Sequence, residues 1–553
     1  LQPFPIRQDV QRWISSRQQL NALLSGKSVF MPASITLSHL AWSTPDGQSV
    51  LSDLDLSFGT ERTGLVGRNG VGKSTLLKLI AGDLSPQSGE VSIAGTLGML
   101  CQAAQTDPRE TVADLFGATD ALALLRGAER GEADAEALAR ADWTLEARMA
   151  AALDRLGLQA GPETLLSTLS GGQRTRIGLA ALVFNEPDFI LLDEPTNNLD
   201  RNGRRAVIDL VAGWRGGAIV VSHDRELLET LDAIVELTGF GATRYGGNFS
   251  HYRERKAQEL AAAQHELADA DKRVADLARR TQAVAERKAR KDRAGTRKRA
   301  KGDIPRIQLN TLRNRSEATS ASNARLAERR RAQALDDAAS ARERIEVLQP
   351  LTVAVPSTGL PAGKTILKID AASVGHDDRP VIRDLSFTIT GPERIAVTGP
   401  NGSGKTTLLG LITGQLAPWT GTVRLMTGFA MLDQQVGLLD PSTSIRDNFR
   451  RRNPEADENA CRASLARFMF RADAALQVVA SLSGGQLLRA GLASVLGVAP
   501  PQLLILDEPT NNLDLESIAT VEAGLRAYDG ALLVVSHDEA FLQAVGIARR
   551  LEL

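Results

Sequence analysis

Two stretches of this chain carry residues whose spacing suits phosphate chemistry. GRNGVGKS (Gly67–Ser74) and GPNGSGKT (Gly399–Thr406) both satisfy G-x-x-x-x-G-K-[ST]. Glycines let such a loop curl until successive N–H groups face inward, at a helix N-terminus that already favours anions. Gly67, Asn69, Gly70 and Gly72, and their equivalents Gly399, Asn401, Gly402 and Gly404, would form the cradles. Lys73 and Lys405 would neutralise the β/γ-phosphates of a nucleotide. Ser74 and Thr406 would hold Mg²⁺, with Thr75 and Thr407 next in line at the helix start. A Gly-rich turn is the bland reading of one match. Two matches, each after an apolar stretch and before a leucine-rich one, do not fit it.

ILLDE and LILDE each put two acids at the end of a buried strand. Asp193 and Asp507 are placed to orient the metal, and Glu194 and Glu508 to polarise an attacking water as general bases. His223 and His537 follow further apolar strands in register with these acids, where a γ-phosphate contact is the sensible role. Gln102 and Gln434 close GMLCQ and AMLDQ, so each amide could ligate Mg²⁺ and the water. LSGGQ occurs twice. It lacks a lysine, yet Ser170 or Ser483 with glycine N–H groups at a helix start makes a second anion-binding tip.

The elements that must position these groups come in two copies. The loop, LSGGQ, LLDEPTNNLD or LILDEPTNNLD, and VVSHD recur in one order. Lys73 and Lys405 lie 332 residues apart, but Leu169 and Leu482 only 313, so the first copy holds 19 extra residues. Gln102 and Gln434 keep the larger spacing, which places the surplus after Gln102, in the helix-forming run ALALLRGAERGEADAEALARAD. Short apolar strands alternate with longer helical stretches, the pattern of a mainly parallel sheet with crossover helices. AIVV and LLVV are continuous apolar runs, as in strands buried on both faces.

Between the copies, from about residue 252 to 348, Ala, Arg, Glu and Gln dominate. Leu260, Leu267 and Val274 recur every seven residues, with Leu277 and Val284 alongside, and Leu335, Ala338 and Ile345 resume a stripe after a break at Gly302–Pro305. Two helices folding back as a hairpin are expected. Near its far end Arg287, Lys288, Arg290, Lys291, Arg293, Arg297, Lys298, Arg299 and Lys301, then Arg306, concentrate positive charge in a chain of net charge −1. The expected division is an extension over 1–30 from an upstream start, a first cassette over 31–250, a basic helical hairpin over 251–350 and a second cassette over 351–553.

The totals exclude several classes. A chain of 553 residues, 43% hydrophobic and 24% charged, is an ordinary globular protein of more than one domain. No apolar run approaches the roughly 18–20 residues that span a bilayer. Cys101 and Cys461 are far apart, which fits neither a disulfide framework nor zinc and suits a reducing cytosol.

In order and content these motifs resemble the ATP-binding cassette superfamily, over roughly three-quarters of the chain. Two cassettes joined by a basic helical linker, with DEPTNNLD in both, look like its F subfamily. The resemblance implies an α/β fold of two P-loop cassettes, each with a parallel-sheet core, an antiparallel β subdomain and a helical signature subdomain, joined by an α-helical hairpin. It implies a cytoplasmic ATPase, ATP and Mg²⁺ as cofactors, and intramolecular cassette pairing in a monomer. Each ATP would lie between one loop and the opposite signature, so Lys73 and Glu194 would face Ser483, Gly485 and Gln486. Lys405 and Glu508 would face Ser170, Gly172 and Gln173. Family cassettes stack adenine on an aromatic residue; Trp42 suits the first, and the second offers only His376. The linker would meet rRNA and the P-site tRNA of the ribosome, its charge matching phosphates. The surplus resembles the subfamily's arm insertion. The ATPase subunit of a transporter and a DNA-repair-type cassette are the competing readings; membrane recovery or DNA-stimulated hydrolysis would mark them.

Overall fold

The computed structural model describes residues 33–100, 109–132, 135–299, 355–376, 379–511 and 513–553, with scattered positions between 326 and 339. The first repeat runs through strands β1 (Ser34–Ser43), β2 (Ser49–Phe58), β3 (Arg62–Val66), β4 (Ser88–Ala94), β5 (Leu97–Leu100), β6 (Phe189–Asp193), β7 (Gly217–Val221), β8 (Ala233–Thr238) and β9 (Gly241–Gly246). They form two sheets, an antiparallel β2-β1-β4 and a larger β5-β6-β7-β3-β8-β9. The larger sheet is parallel except for the β8–β9 hairpin. Its helices are α1 (Lys73–Ala81), α2 (Val112–Leu115), α3 (Thr119–Glu129), α4 (Ala135–Arg140), α5 (Leu145–Asp154), α6 (Gly171–Phe184), α7 (Arg201–Ala212) and α8 (Arg225–Leu228).

The chain then enters α9 (Phe249–Arg299), a single helix of 51 residues. The second repeat has β10 (Thr365–His376), β11 (Arg379–Thr390), β12 (Arg394–Thr398), β13 (Thr420–Leu425), β14 (Phe429–Leu432), β15 (Leu503–Asp507), β16 (Ala531–Val535) and β17 (Arg549–Glu552). Their sheet orders, β11-β10-β13 and β14-β15-β16-β12-β17, repeat the first pattern except that, among the described residues, the five-stranded sheet has no counterpart of β9. The matching helices are α10 (Lys405–Thr413), α11 (Ile445–Arg452), α12 (Glu458–Arg467), α13 (Gly484–Leu496), α14 (Leu515–Ala527) and α15 (Glu539–Ala544). Among the described residues α3 and α4 have no counterpart there, so the 19-residue surplus is a short helical insertion, where the spacing put it.

Apolar residues on both faces explain why the large sheets sit mid-layer. β6, β7 and β16 are buried along their whole length. In the first cassette Leu191, Ile219 and Val221 join a core with α1 and the antiparallel sheet, while Ile190, Leu192 and Val220 join another with α6 and α7. α9 grows out of this second core, for Phe249 is buried in it. Beyond Tyr252 a less exposed stripe runs along α9 through Lys256, Leu260, Ala263, Leu267, Ala270, Val274 and Leu277, at alternating spacings of four and three, with half-buried Asp276 beside it. Ala263 and Ala270 are the most buried of the stripe; the leucine pattern alone had pointed only to their neighbours. The break at Gly302–Pro305 and Ile345 lie outside the described residues.

Candidate functional site

Both phosphate loops bridge a sheet strand to a helix, β3 to α1 and β12 to α10. Gly72 and Gly404 cap those helices at φ 103° and 102°, in the left-handed region where a side chain is disfavoured. At Gly67, φ 149°, a Cβ would stand 2.3 Å from the Leu237 carbonyl oxygen of β8. Only glycine lets the loop pass so close to the sheet. Lys73 Nζ folds back across its loop and donates to the carbonyls of Gly67, 2.6 Å, and Arg68, 3.1 Å. Lys405 does the same to Gly399, 2.8 Å, and Pro400, 3.2 Å, and lies 2.9 Å from His537 Nε2. Burial lowers both ammonium pKa values, against the pull of Glu194 and Glu508 respectively.

Around the first loop opens a cleft of about 470 Å³, lined by Trp42, Val50, Asn69, Gly70, Gly72, Lys73, Ser74, Thr75, Asp193, Glu194 and His223 among others. Nine of the predicted first-cassette residues beyond Gly67 thus meet in one place, with Trp42 at hand. In the second cassette Thr407 is buried while Thr406 and Asn401 are exposed. Gln434 lies two residues past the end of β14. Gln102 and the side chain of His376 lie outside the described residues.

Glu194 and Glu508 sit just past β6 and β15 with φ 48° and 47°. Such left-handed backbone costs a non-glycine residue about 1–3 kcal/mol and marks a functional constraint. It is held by strand hydrogen bonds, from Glu194 N–H to Val221 O at 2.9 Å and from Glu508 N–H to Val535 O at 2.8 Å. Burial drives the Glu194 carboxyl well above the usual glutamate range and Glu508 up to about 7. Opposite them His223 Nε2 lies 3.2 Å from Glu194, and His537 Nε2 3.5 Å from Glu508. Burial lowers the histidines to about 3 and about 4, so both rings are neutral at pH 7. Asp193 Oδ1, both His223 ring nitrogens and Ser403 Oγ are buried without a hydrogen-bond partner. Buried polar atoms are seldom left so. In the second cassette burial and then Asp433 raise Asp507, a carboxylate pair short of positive charge. A phosphate with a hard cation supplies what both sites lack, so the donor set fits Mg²⁺ and a nucleotide.

The signature residues stand at two helix starts, with their glutamine side chains turned back onto the caps. Ser170 and Ser483 are N-caps of α6 and α13 in complete capping boxes. Gln173 Oε1 accepts from Ser170 N–H at 2.9 Å, and Gln486 Oε1 from Ser483 N–H at 2.9 Å. Both glutamine side chains are therefore engaged in their own helix starts. Gly172 and Gly485 set those helices tightly against the next element: a Cβ would meet Leu199 Cδ2 at 3.1 Å or Ser517 Oγ at 2.6 Å.

The NNLD segment reaches across between cassettes. Asn69 N–H donates to Asp514 Oδ2 at 2.9 Å, and Asn401 Nδ2 donates to Asn198 O at 3.2 Å. Asp514 and Asp200 also cap α14 and α7. Arg68 chelates Glu516, with contacts of 2.5 and 2.9 Å. Sequence reasoning quoted NNLD twice but assigned Asp200 and Asp514 no role; the exact repetition of the motif was the available signal. Along α9, Arg287 and Arg290 are exposed. Lys288, Lys291, Arg293, Arg297, Lys298 and Arg299 follow on the same helix, while Lys301 and Arg306 lie outside the described residues. No helix among the described residues is long and apolar enough to cross a membrane.

Comparison with known proteins agrees with this geometry. The "ABC transporter" family pattern matches twice, over residues 51–197 and 382–511. The chain is 33% identical over 543 residues to the tylosin resistance ATP-binding protein TlrC of Streptomyces fradiae, covering 92% of this chain and 95% of that one. It is 30% identical to the energy-dependent translational throttle protein EttA of Mycobacterium tuberculosis, covering 89% and 87%. Among solved structures it is similar to one titled RNase-L Inhibitor, with TM-score 0.56 and 18% identity over 92% of this chain and 86% of that one, a likeness of fold. Two phosphate loops, each met by the opposite cassette, with two signatures and two acid-ended strands, thus have their place: the chain belongs to the F subfamily of the ATP-binding cassette superfamily.

Proposed function

We propose that this protein is a Mg²⁺-dependent ATPase of the cytoplasm that uses ATP-driven closure of its two cassettes to act on the ribosome through its linker. The observation carrying this reading is that each phosphate loop is already touched by the other cassette, through Asp514 on one side and Asn198 on the other. A nucleotide bound in either loop adds its own contacts to a preformed seam, so binding energy is realised in the paired state.

In each site the loop N–H groups and Lys73 or Lys405 hold the β/γ-phosphates, and Trp42 offers a stacking face in the first. Ser74, Asp193 and Gln102, and Thr406, Asp507 and Gln434, would hold Mg²⁺, which screens the charge of the phosphates when bound. Glu194 and Glu508 accept the proton of the attacking water, and their left-handed backbone aims them from the strand ends. Neutral His223 and His537 can each donate a ring N–H to the γ-phosphate without adding charge. ATP is cleaved to ADP and phosphate, and loss of the γ-phosphate contacts releases the seam.

The ribosome reading draws on the relative named a translational throttle, and on the basic run along α9, which suits rRNA and tRNA phosphates. A two-helix coiled hairpin, one helix of which is α9, would carry that charge outward, in a division near residues 31–250, 251–350 and 351–553. The test is co-sedimentation with ribosomes of a Glu194→Gln/Glu508→Gln double variant, with ATP and with ADP. Binding that needs ATP and weakens when Arg297, Lys298, Arg299 and Lys301 become alanine supports the proposal. No ribosome binding in ATP overturns its translational part.

A further inference from the structure

Among the described residues, the ion pairs across the cassette seam run in one direction. Arg225 on α8 meets Glu522 on α14 at 2.8 Å, with side chains 16% and 7% exposed. Arg201 at the start of α7 meets Glu539 at the start of α15 at 3.1 Å, and Arg68 chelates Glu516. In every pair the arginine belongs to the first cassette and the glutamate to the second. None recurs at the mirror position. Aligning the repeats sets Arg225 against Glu539, Arg201 against Leu515, Glu522 against Ile208, Arg68 against Pro400 and Glu516 against Asn202.

This asymmetry has a consequence when the same seam is built from two like cassettes. Two first cassettes would set Arg225 of each against Arg201 of the other, and leave Arg225 facing Ile208. Two second cassettes would set Glu539 of each against Glu522 of the other. Only a first with a second cassette places opposite charges together. We propose that these charges are a pairing code that selects a first cassette against a second and rejects like pairs.

The pairs are not equal in weight. Glu539 is shared with Arg550 of its own cassette, at 2.6 Å, which softens the pair it makes with Arg201. Arg225–Glu522 is more deeply buried and is the stronger discriminator, since like charges brought together out of water cost more than exposed ones. The code does not by itself separate a partner cassette in the same chain from one in another. The covalent link does that, by an effective concentration on the order of millimolar. The inference rests on the ATP-driven closure proposed above.

The experiment uses the full chain carrying Glu194→Gln and Glu508→Gln as parent. One variant adds Arg201→Glu and Arg225→Glu, a second adds Glu522→Arg and Glu539→Arg, and a third adds all four. Compaction with ATP is read by small-angle scattering and association by sedimentation velocity, with a melting curve on each chain. The first two variants should each lose ATP-induced compaction and stay monomeric, and the third should regain it. Mixed in equal amounts, the first two should form a two-chain complex that neither forms alone and that fades with salt. If both reversed variants compact like the parent, or the mixture stays monomeric, the pairing code is wrong. Should the second variant melt early, Glu522→Gln with Glu539→Gln replaces it, with a partial loss expected and full compaction overturning the idea. The mixture is also read at low salt without ATP. A parent that stays open in ATP sinks the closure reading, while complex formation in the mixture still decides the code.

Discussion

The root of the linker helix offers a sharp test. Glu236, on β8, receives the Tyr252 hydroxyl at 3.0 Å and the Lys256 ammonium at 2.6 Å, both from the first turns of α9. Tyr245 on β9 packs edge-on against Tyr252, with ring centroids 5.2 Å apart. Exposed ion pairs contribute about 0–1 kcal/mol and breaking a buried one costs about 3–5. Glu236 and Lys256 are 17% and 22% exposed, so this pair lies between those limits, near 2 kcal/mol. Glu236→Ala also strips the Tyr252 hydroxyl of its acceptor, about 1 kcal/mol more. The expected loss is therefore about 3 kcal/mol for Glu236→Ala and about 1 for Glu236→Gln, which keeps the acceptor and removes the charge. Urea unfolding followed by a double-mutant cycle with Lys256→Met gives the pair its own value, expected at about 1–2 kcal/mol. Hydrogen exchange should rise first over residues 249–260, and ATP hydrolysis by the free protein should change little. A cycle coupling below about 0.3 kcal/mol, or exchange unchanged at the helix start, would refute the view that this carboxylate anchors the linker.

Further outcomes follow from other contacts. Gly67→Ala should lower ATP affinity in the first site at least tenfold by equilibrium binding, because its Cβ meets the Leu237 carbonyl at 2.3 Å. Gly70→Ala, with no atom within 4 Å, meets no such clash and should lose less. Asp514→Ala removes both the acceptor of Asn69 N–H and the cap of α14, and should slow single-turnover hydrolysis in a Glu508→Gln background more than in a Glu194→Gln one. Asp232 is held below the usual aspartate range chiefly by its hydrogen bond from Arg62. The unfolded chain binds more protons there, so this stability is present above the ordinary aspartate pKa and is lost as pH falls through the depressed value. Asp232→Asn should therefore flatten the acid limb of the melting temperature while changing little below it.

Local patterns were legible because each is completed within a few residues. The glycine spacing of Gly67–Ser74 dictates a loop, and FILLD and AIVV are apolar enough to be read as strands buried on both faces. The register shift of 19 residues even located α3 and α4. The seam was not legible in that way. Asn69 and Asp514 are separated by 445 positions, and no periodicity connects them. The two signature glutamines show another limit. S-G-G-Q spells a capping box as well as a ligand-binding tip, and composition alone does not say which use the side chain takes. Ala263 and Ala270 escaped notice because a small residue is buried by close approach, not by its own hydrophobicity.

The root of α9 is tied into the first cassette at Phe249, Tyr252 and Lys256. Its 51 residues span about 75 Å at ~1.5 Å per residue. As a lever fixed at that root, a tilt of about 5° in the first cassette displaces the far end by roughly 6–7 Å, about the rise of one helical turn or a little more. A movement of a few degrees at the root is thus, at Arg299, a step from one phosphate to the next.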